Sequence, residues 1–170
     1  MKGSFHDRFV EVFDAHFHRV FRSIDRQSGD PELAADVAQD AFVRLYQRGS
    51  LPDVPEAWLI TVAQNLFRNA RSKTARRRRL LTVERGEDVL ADPAPSPHDT
   101  LCAGEDTARV RAALDRLDER DRQMLVLRAE GFSYRHIARV LGLHEASMGT
   151  LLARARRSFR ATYEESVHAP

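Results

Sequence analysis

The amino-acid sequence predicts an all-α protein: two small helical domains joined by a flexible acidic linker, the C-terminal one a helix-turn-helix. Three features carry that expectation. Apolar residues recur at intervals of three and four along most of the chain, and no period-two run of any length appears. A proline-containing acidic stretch with DPAPSP at its centre interrupts this rhythm across residues 84–104. Near the C-terminus Gly142 divides two short amphipathic segments. The 170 residues are enough for two small domains, and 31% charged residues with few strand formers fit a helical chain.

Each element follows from local pattern. Phe5, Phe9, Phe13 and Phe17, continued by Val20, Phe21 and Ile24, form one apolar stripe and hence a first helix. SGDP at 28–31 ends it and starts the next, with Asp30 as N-cap and Pro31 at the first helical position. Leu33, Val37, Ala41, Phe42 and Leu45 give the second helix its buried side, and residues 49–55 break it. A third helix carries Trp58, Leu59, Val62, Ala63, Leu66 and Phe67 and runs into RNARSKTARRRRLL through a short turn near residues 72–74. After the linker, Val110, Ala113, Leu114 and Leu117, then Met124, Leu125 and Leu127, restore the helical period.

The segment GFSYRHIARVLGLHEASMGTLL is the most informative. Ser133 caps a short helix whose Ile137, Ala138 and Leu141 face inward; Ala138 is small, as two crossing helices require. Gly142 sits where the turn needs positive φ, and Leu143 anchors its exit. A second helix is expected from about Glu145, with Met148, Leu151 or Leu152, and Ala155 facing in. Such a unit places the N-terminal residues of its second helix at base edges in the major groove. Arg154, Arg156, Arg157 and Arg160 at the far end suit phosphates. Gly149 stands mid-helix, where a reader of DNA usually has a side chain. A backbone approach to DNA and simple packing are both open there.

The formal net charge is only +2, but its distribution is uneven. Residues 68–83 hold 7 basic and no acidic side chains, residues 84–107 hold 1 against 7, and residues 108–170 hold 12 against 8. Local basicity marks a polyanion partner. Gln64, Asn65 and Asn69 stand among Trp58, Phe67 and these cations, the mixture that holding an unstacked base and its backbone requires. Trp58 by itself reads as core.

Cys102 is the only cysteine, which excludes an intrachain disulfide and a cysteine zinc site and fits a reducing, cytoplasmic compartment. No apolar run approaches membrane-spanning length, and MKGSFHDRF lacks the apolar core of a secretory signal. Asp14, His16 and His18, with His6 and Asp7, form a His/Asp group, but intervals of two scatter ligands around a helix. His98 and Cys102 fall in the linker. No catalytic motif occurs, so no enzyme activity, metal or cofactor is expected.

LDRLDERDRQMLVLRAEGFSYRHIARVLGLHEASMGTLLARARR closely resembles the C-terminal domain of the extracytoplasmic-function (ECF) sigma factors of bacterial RNA polymerase, in the sigma-70 superfamily. DPELAADVAQDAFVRLYQR resembles the family's core-polymerase-binding helix, and PEAWLITVAQNLFRNARSKTARRRR its −10 recognition segment. The resemblance spans residues 9–83 and 108–162 in the family's order.

It implies an alternative sigma factor with a polymerase-binding and −10-melting domain over 1–83, a linker over 84–107 and a −35-reading domain over 108–170. The implied partners are core RNA polymerase (the β′ clamp helices and the β subunit), promoter DNA and an anti-sigma factor. The implied polymerase surface is Asp36, Gln39, Asp40, Phe42, Arg44 and Leu45, and the −10 set is Asn65, Arg68, Asn69, Arg71, Lys73, Arg76 and Arg77. The family commonly has basic residues at the positions of Gly149 and Leu151. Base reading at −35 therefore falls to His144, Glu145, Ser147 and Thr150, and phosphate anchoring to Arg135, Arg154, Arg156 and Arg157. The rival readings are a helix-turn-helix regulator acting without polymerase and a metal-dependent nuclease using the His/Asp group.

Overall fold

The computed structural model describes residues 4–84 and 105–168. Among these the chain is helical throughout: α1 (Phe5–Ser28), α2 (Pro31–Arg48), α3 (Pro55–Glu84), α4 (Glu105–Asp115), α5 (Glu119–Ala129), α6 (Tyr134–Leu141), a 3₁₀ turn (Glu145–Ser147) and α7 (Met148–His168). The all-α expectation therefore holds.

The starts of α1 and α2 are fixed by side chains replacing missing intrahelical partners. Ser4 Oγ accepts the Asp7 N–H at 3.2 Å while an Asp7 carboxylate oxygen accepts the Ser4 N–H at 2.8 Å, a reciprocal capping box. This draws the exposed Asp7 carboxyl below its usual range: the Ser4 backbone bond contributes most and the Ser4 hydroxyl next. Asp30, in an extended conformation, caps α2 by accepting the Leu33 N–H at 3.0 Å, with Pro31 as the first helical residue. The boundary read from SGDP is the observed one.

Helices α1, α2 and α3 pack pairwise into a three-helix unit. Alanines let the axes approach: Ala34, Ala38 and Ala41 on α2 and Ala57 and Ala63 on α3 are fully buried. Val20, Ile24, Leu45, Leu59 and Ile60 fill the spaces between them. Each contributes about 1.5–3 kcal/mol on removal from water. In the second unit α4 lies along α7, and α5 packs on α6 and α7 over Met124, Leu127, Ile137, Met148, Leu152 and Ala155.

Three expectations are corrected. There is no turn near residues 72–74: α3 is continuous to Glu84, because Arg, Lys and Ala there are good helix formers and Thr74 returns its hydroxyl to the Ala70 carbonyl at 3.1 Å. The second helix of the helix-turn-helix begins at Met148, after the 3₁₀ turn, rather than at Glu145. The segment 84–107 expected as a linker gives Glu84 to α3 and residues 105–107 to α4; the rest, with His98 and Cys102, lies outside the described residues.

The two units touch. Helix α3 contacts α5 and α6, and one continuous buried cluster includes residues of both. Glu130, just past α5, is a focus of this junction. Its carboxylate accepts from Ser23 Oγ at 2.6 Å and Arg26 at 2.8 Å, and its carbonyl accepts from Arg19 at 2.6 Å. The Arg19 guanidinium also lies 5.1 Å from the centre of the Phe132 ring.

Candidate nucleic-acid and polymerase interfaces

In the C-terminal unit, Ser133 Oγ accepts the His136 N–H at 3.2 Å and so starts α6. Gly142 ends it with φ 65°, a conformation that glycine adopts without a Cβ penalty, and the Leu143 N–H returns to the Ala138 carbonyl at 2.8 Å. Met148, Leu152 and Ala155 face the core at helical spacing. The other side of α7 is therefore turned to solvent: Gly149, Thr150, Arg154, Arg156, Arg157 and Arg160 are exposed, as are His144, Glu145 and Ser147 at its entrance. A Cβ added at Gly149 would meet nothing within 4 Å. The glycine is not there for packing within this chain. Leu151 is half-buried, and of the two candidate leucines Leu152 is the core residue.

Two of the cations are already engaged. Arg154 donates to Asp121 at 3.1 Å, and Asp121 is buried. Arg135 donates to Glu145 at 3.3 Å in an open setting, where such a pair contributes little. Arg156 and Arg157 stay exposed on the far end.

On α3 the basic run winds around the helix, so its cations leave in several directions. Asn69, Lys73, Arg76 and Arg77 are exposed, whereas Asn65, Arg68 and Arg71 are half-buried against the C-terminal unit. Gln123 donates to Asn65 Oδ1 at 3.4 Å, Arg68 to the Asp115 carbonyl at 3.5 Å, and Arg71 to the Asp115 carboxylate at 2.7 Å. Phe67 is buried and offers no face to a base; the Arg71 guanidinium lies over it at 5.6 Å. Trp58 is half-buried, with Arg48 at 5.7 Å from its ring.

On α2, Asp36, Gln39, Asp40 and Arg44 are exposed along one side. Beside them Val43 is 51% and Tyr46 52% exposed, and α1 adds Val10 and Phe13. Tyr46 sits edge-on to Phe9 at 5.1 Å, and Phe13 edge-on to Phe42 at 4.9 Å, so the exposed rings stand on a fixed aromatic base.

Comparison with known proteins shows the family of the chain. The model of Sigma-70 region 2 matches residues 12–77, and that of Sigma-70, region 4 matches residues 107–159. The chain is 30% identical over 159 residues to the ECF RNA polymerase sigma factor SigL of Mycobacterium tuberculosis, covering 91% of this chain and 88% of that one. The chain belongs to the ECF sigma factors. It is an alternative sigma factor, a protein that directs transcription.

The sigma factor is also 31% identical over 155 residues to SigE of Mycolicibacterium smegmatis, where the match covers 88% of this chain and 59% of the relative. A solved structure of the sigma factor RpoE in complex with the anti-sigma factor NepR from Bartonella quintana is similar over 94% of this chain and 96% of that one, at 23% identity and a TM-score of 0.46.

Among the residues expected at the sigma factor's polymerase surface, the sequence leaves Phe42 and Leu45 inward or at the interface, and the structure turns both inward. Phe42 is 2% exposed and Leu45 fully buried, because both face the α1–α2–α3 core. The exposed apolar residues there are Val43 and Tyr46. They lie seven residues beyond Asp36 and Gln39, so the helical repeat itself carried the signal that they share that face. The His/Asp group is not gathered: Asp7 closes the capping box and His16 Nδ1 faces Glu56 at 3.6 Å. No cluster of three metal-binding side chains occurs among the described residues, and no described helix is long and apolar enough to cross a membrane.

Proposed function

We propose that the chain works as a two-domain initiation factor with the boundaries 1–83, 84–107 and 108–170, docking through α2 and reading promoter DNA with α3 and α7. The observation that carries this is the division of exposed chemistry. The outward side of α2 mixes carboxylate, amide and apolar groups with a single cation along it (Asp36, Gln39, Asp40, Val43 and Tyr46, with Arg44), suited to a protein partner. The exposed cations of α3 and α7 suit nucleic acid.

Core RNA polymerase, through its β′ clamp helices, would take the α2 surface, and the β subunit would be a second contact. Asn69, Lys73, Arg76 and Arg77, joined by Asn65, Arg68 and Arg71, would hold the unpaired −10 strand. His144, Glu145, Ser147 and Thr150 would read the −35 duplex, with Arg135, Arg154, Arg156 and Arg157 on its phosphates. The protein would supply no catalytic group. It favours the open promoter by binding that state better than the closed one. Its place of work is the cytoplasm, where transcription runs, and an anti-sigma factor is its expected regulator.

The test is transcription in vitro with core polymerase across a promoter library. Promoter-specific transcripts that require the protein are the expected result. Tight, sequence-specific duplex binding by the free protein with no effect on core polymerase would identify a polymerase-independent regulator instead.

A further inference from the structure

An aspartate in the first turn of a helix is ordinary, because the helix start favours a negative charge. Asp121 sits in the first turn of α5 but is buried, three residues before the core residue Met124. A buried carboxylate needs a partner. The partner comes from the other wall of the C-terminal unit: Arg154 Nη2, on α7, donates to Asp121 Oδ1 at 3.1 Å. Arg120 Nε lies 3.9 Å from the same oxygen and adds a second positive charge.

The pair is lopsided. The Asp121 side chain is 7% exposed and that of Arg154 47%. The carboxylate therefore lies behind the guanidinium, and an anion arriving from solvent meets the arginine first. A guanidinium carries five N–H donors in a planar fork, and the bond to Asp121 is made by one terminal nitrogen. Arg135 and Glu145 form the contrasting pair: both side chains are exposed, so salt screens their attraction and neither is held firmly.

We propose that Asp121 is a positioning residue for −35 recognition: it grips one nitrogen of Arg154 and turns the remaining donors of that guanidinium outward, to a phosphate of the −35 duplex. The proposal rests on the assignment of α7 to that duplex. A long side chain held in place before DNA arrives loses less freedom on binding. Because the carboxylate is buried, the grip persists at salt concentrations that loosen exposed pairs.

A simple clip between α5 and α7 and a positioning role predict opposite signs. Removing an acidic charge beside a DNA-binding surface strengthens its attraction for the duplex. Removing the group that aims a phosphate-binding arginine weakens binding, although the protein has become more positive.

The test uses holoenzyme formed with core polymerase and a fluorescein-labelled promoter recovered from the transcription library, with binding read by anisotropy across a salt series. Asp121→Ala should weaken promoter binding by about tenfold and flatten its salt dependence by about one unit. Arg154→Ala should do the same, and adding Asp121→Ala to it should cost nothing further. Arg154→Lys keeps the charge without the planar fork and should bind as weakly as Arg154→Ala.

Tighter or unchanged promoter binding by Asp121→Ala would overturn the proposal. So would additive losses in the double variant, or full binding by Arg154→Lys. If urea unfolding shows Asp121→Ala to be unfolded under the assay conditions, the two Arg154 variants decide: equal losses support the grip, and full binding by the lysine variant overturns it. The −35 assignment is tested separately with Glu145→Ala and Arg156→Ala. If both bind and select −35 sequences as the parent does, that assignment fails; if they are defective while Asp121→Ala binds normally, only the positioning role fails.

Discussion

Gly149 lies on the solvent side of α7 with open space where a side chain would be. It is the second residue of α7, in the first turn rather than the helix interior, so Gly149→Ala should raise stability by less than about 1 kcal/mol, measured by urea unfolding. A loss of stability would mean that the position is more constrained than its open surroundings indicate. Glu145 is a contrasting case. Its bond to Arg135 is exposed, so Glu145→Ala should barely change unfolding. A carboxylate near base edges prefers the cytosine amino group, so the same variant should relax selection at one C of the −35 element by about 1–3 kcal/mol. Unchanged selection from a random −35 pool, with lowered thermal stability, would leave Glu145 as a helix-start residue only. Arg156 has no base-reading role in this arrangement. Arg156→Ala should weaken promoter binding about equally for all sequences and flatten its salt dependence by about one unit.

At the scale of the element, α2 turns one side to the core and, under the proposed function, the other to polymerase. Leu45→Ala empties a fully buried site and should cost about 2–5 kcal/mol, read by thermal or urea unfolding. Val43→Asp changes a half-exposed position and should leave unfolding unchanged while weakening competition for core polymerase. Full competition by that variant would move the docking surface elsewhere. The helical repeat was legible in the sequence because burial imposes it: Val20, Ile24, Val37, Leu45, Met148 and Leu152 all fall where periodicity places them. The caps at Asp30 and Ser133 and the turn at Gly142 were legible because each meets a local backbone need. Whether Phe42 and Leu45 lie inward or at a partner interface was not legible, because an apolar residue serves the core and a partner by the same chemistry. Only the third helix, packed on that side, separates the two. The engagement of Asn65, Arg68 and Arg71 by Gln123 and Asp115 was not legible at all, since those contacts join residues more than forty positions apart and no local pattern encodes them.

For the whole molecule, the two units meet through Glu130 and Asp115, so any change in their arrangement would be felt at those contacts. Backbone amides of α4 and α5 should exchange faster with deuterium when the protein joins core polymerase than when it is free. Slower exchange there would mean that the units remain together in the holoenzyme. The uninterrupted α3 adds a mechanical property to this picture. A helix of 30 residues is about 45 Å long, and only its first half is built into the three-helix core. The rest is a rigid spar whose rotation about its own axis follows that of the core. Arg76, Arg77 and Arg79 leave it at successive bearings about 100° and 200° apart, so the three span an arc of roughly 160° on one side of the spar. A strand crossing that side of the spar would meet a cation over a broad range of bearings. Under the proposed function that charged side would hold the strand backbone, and the uncharged amides nearer the root of the spar would hold the bases.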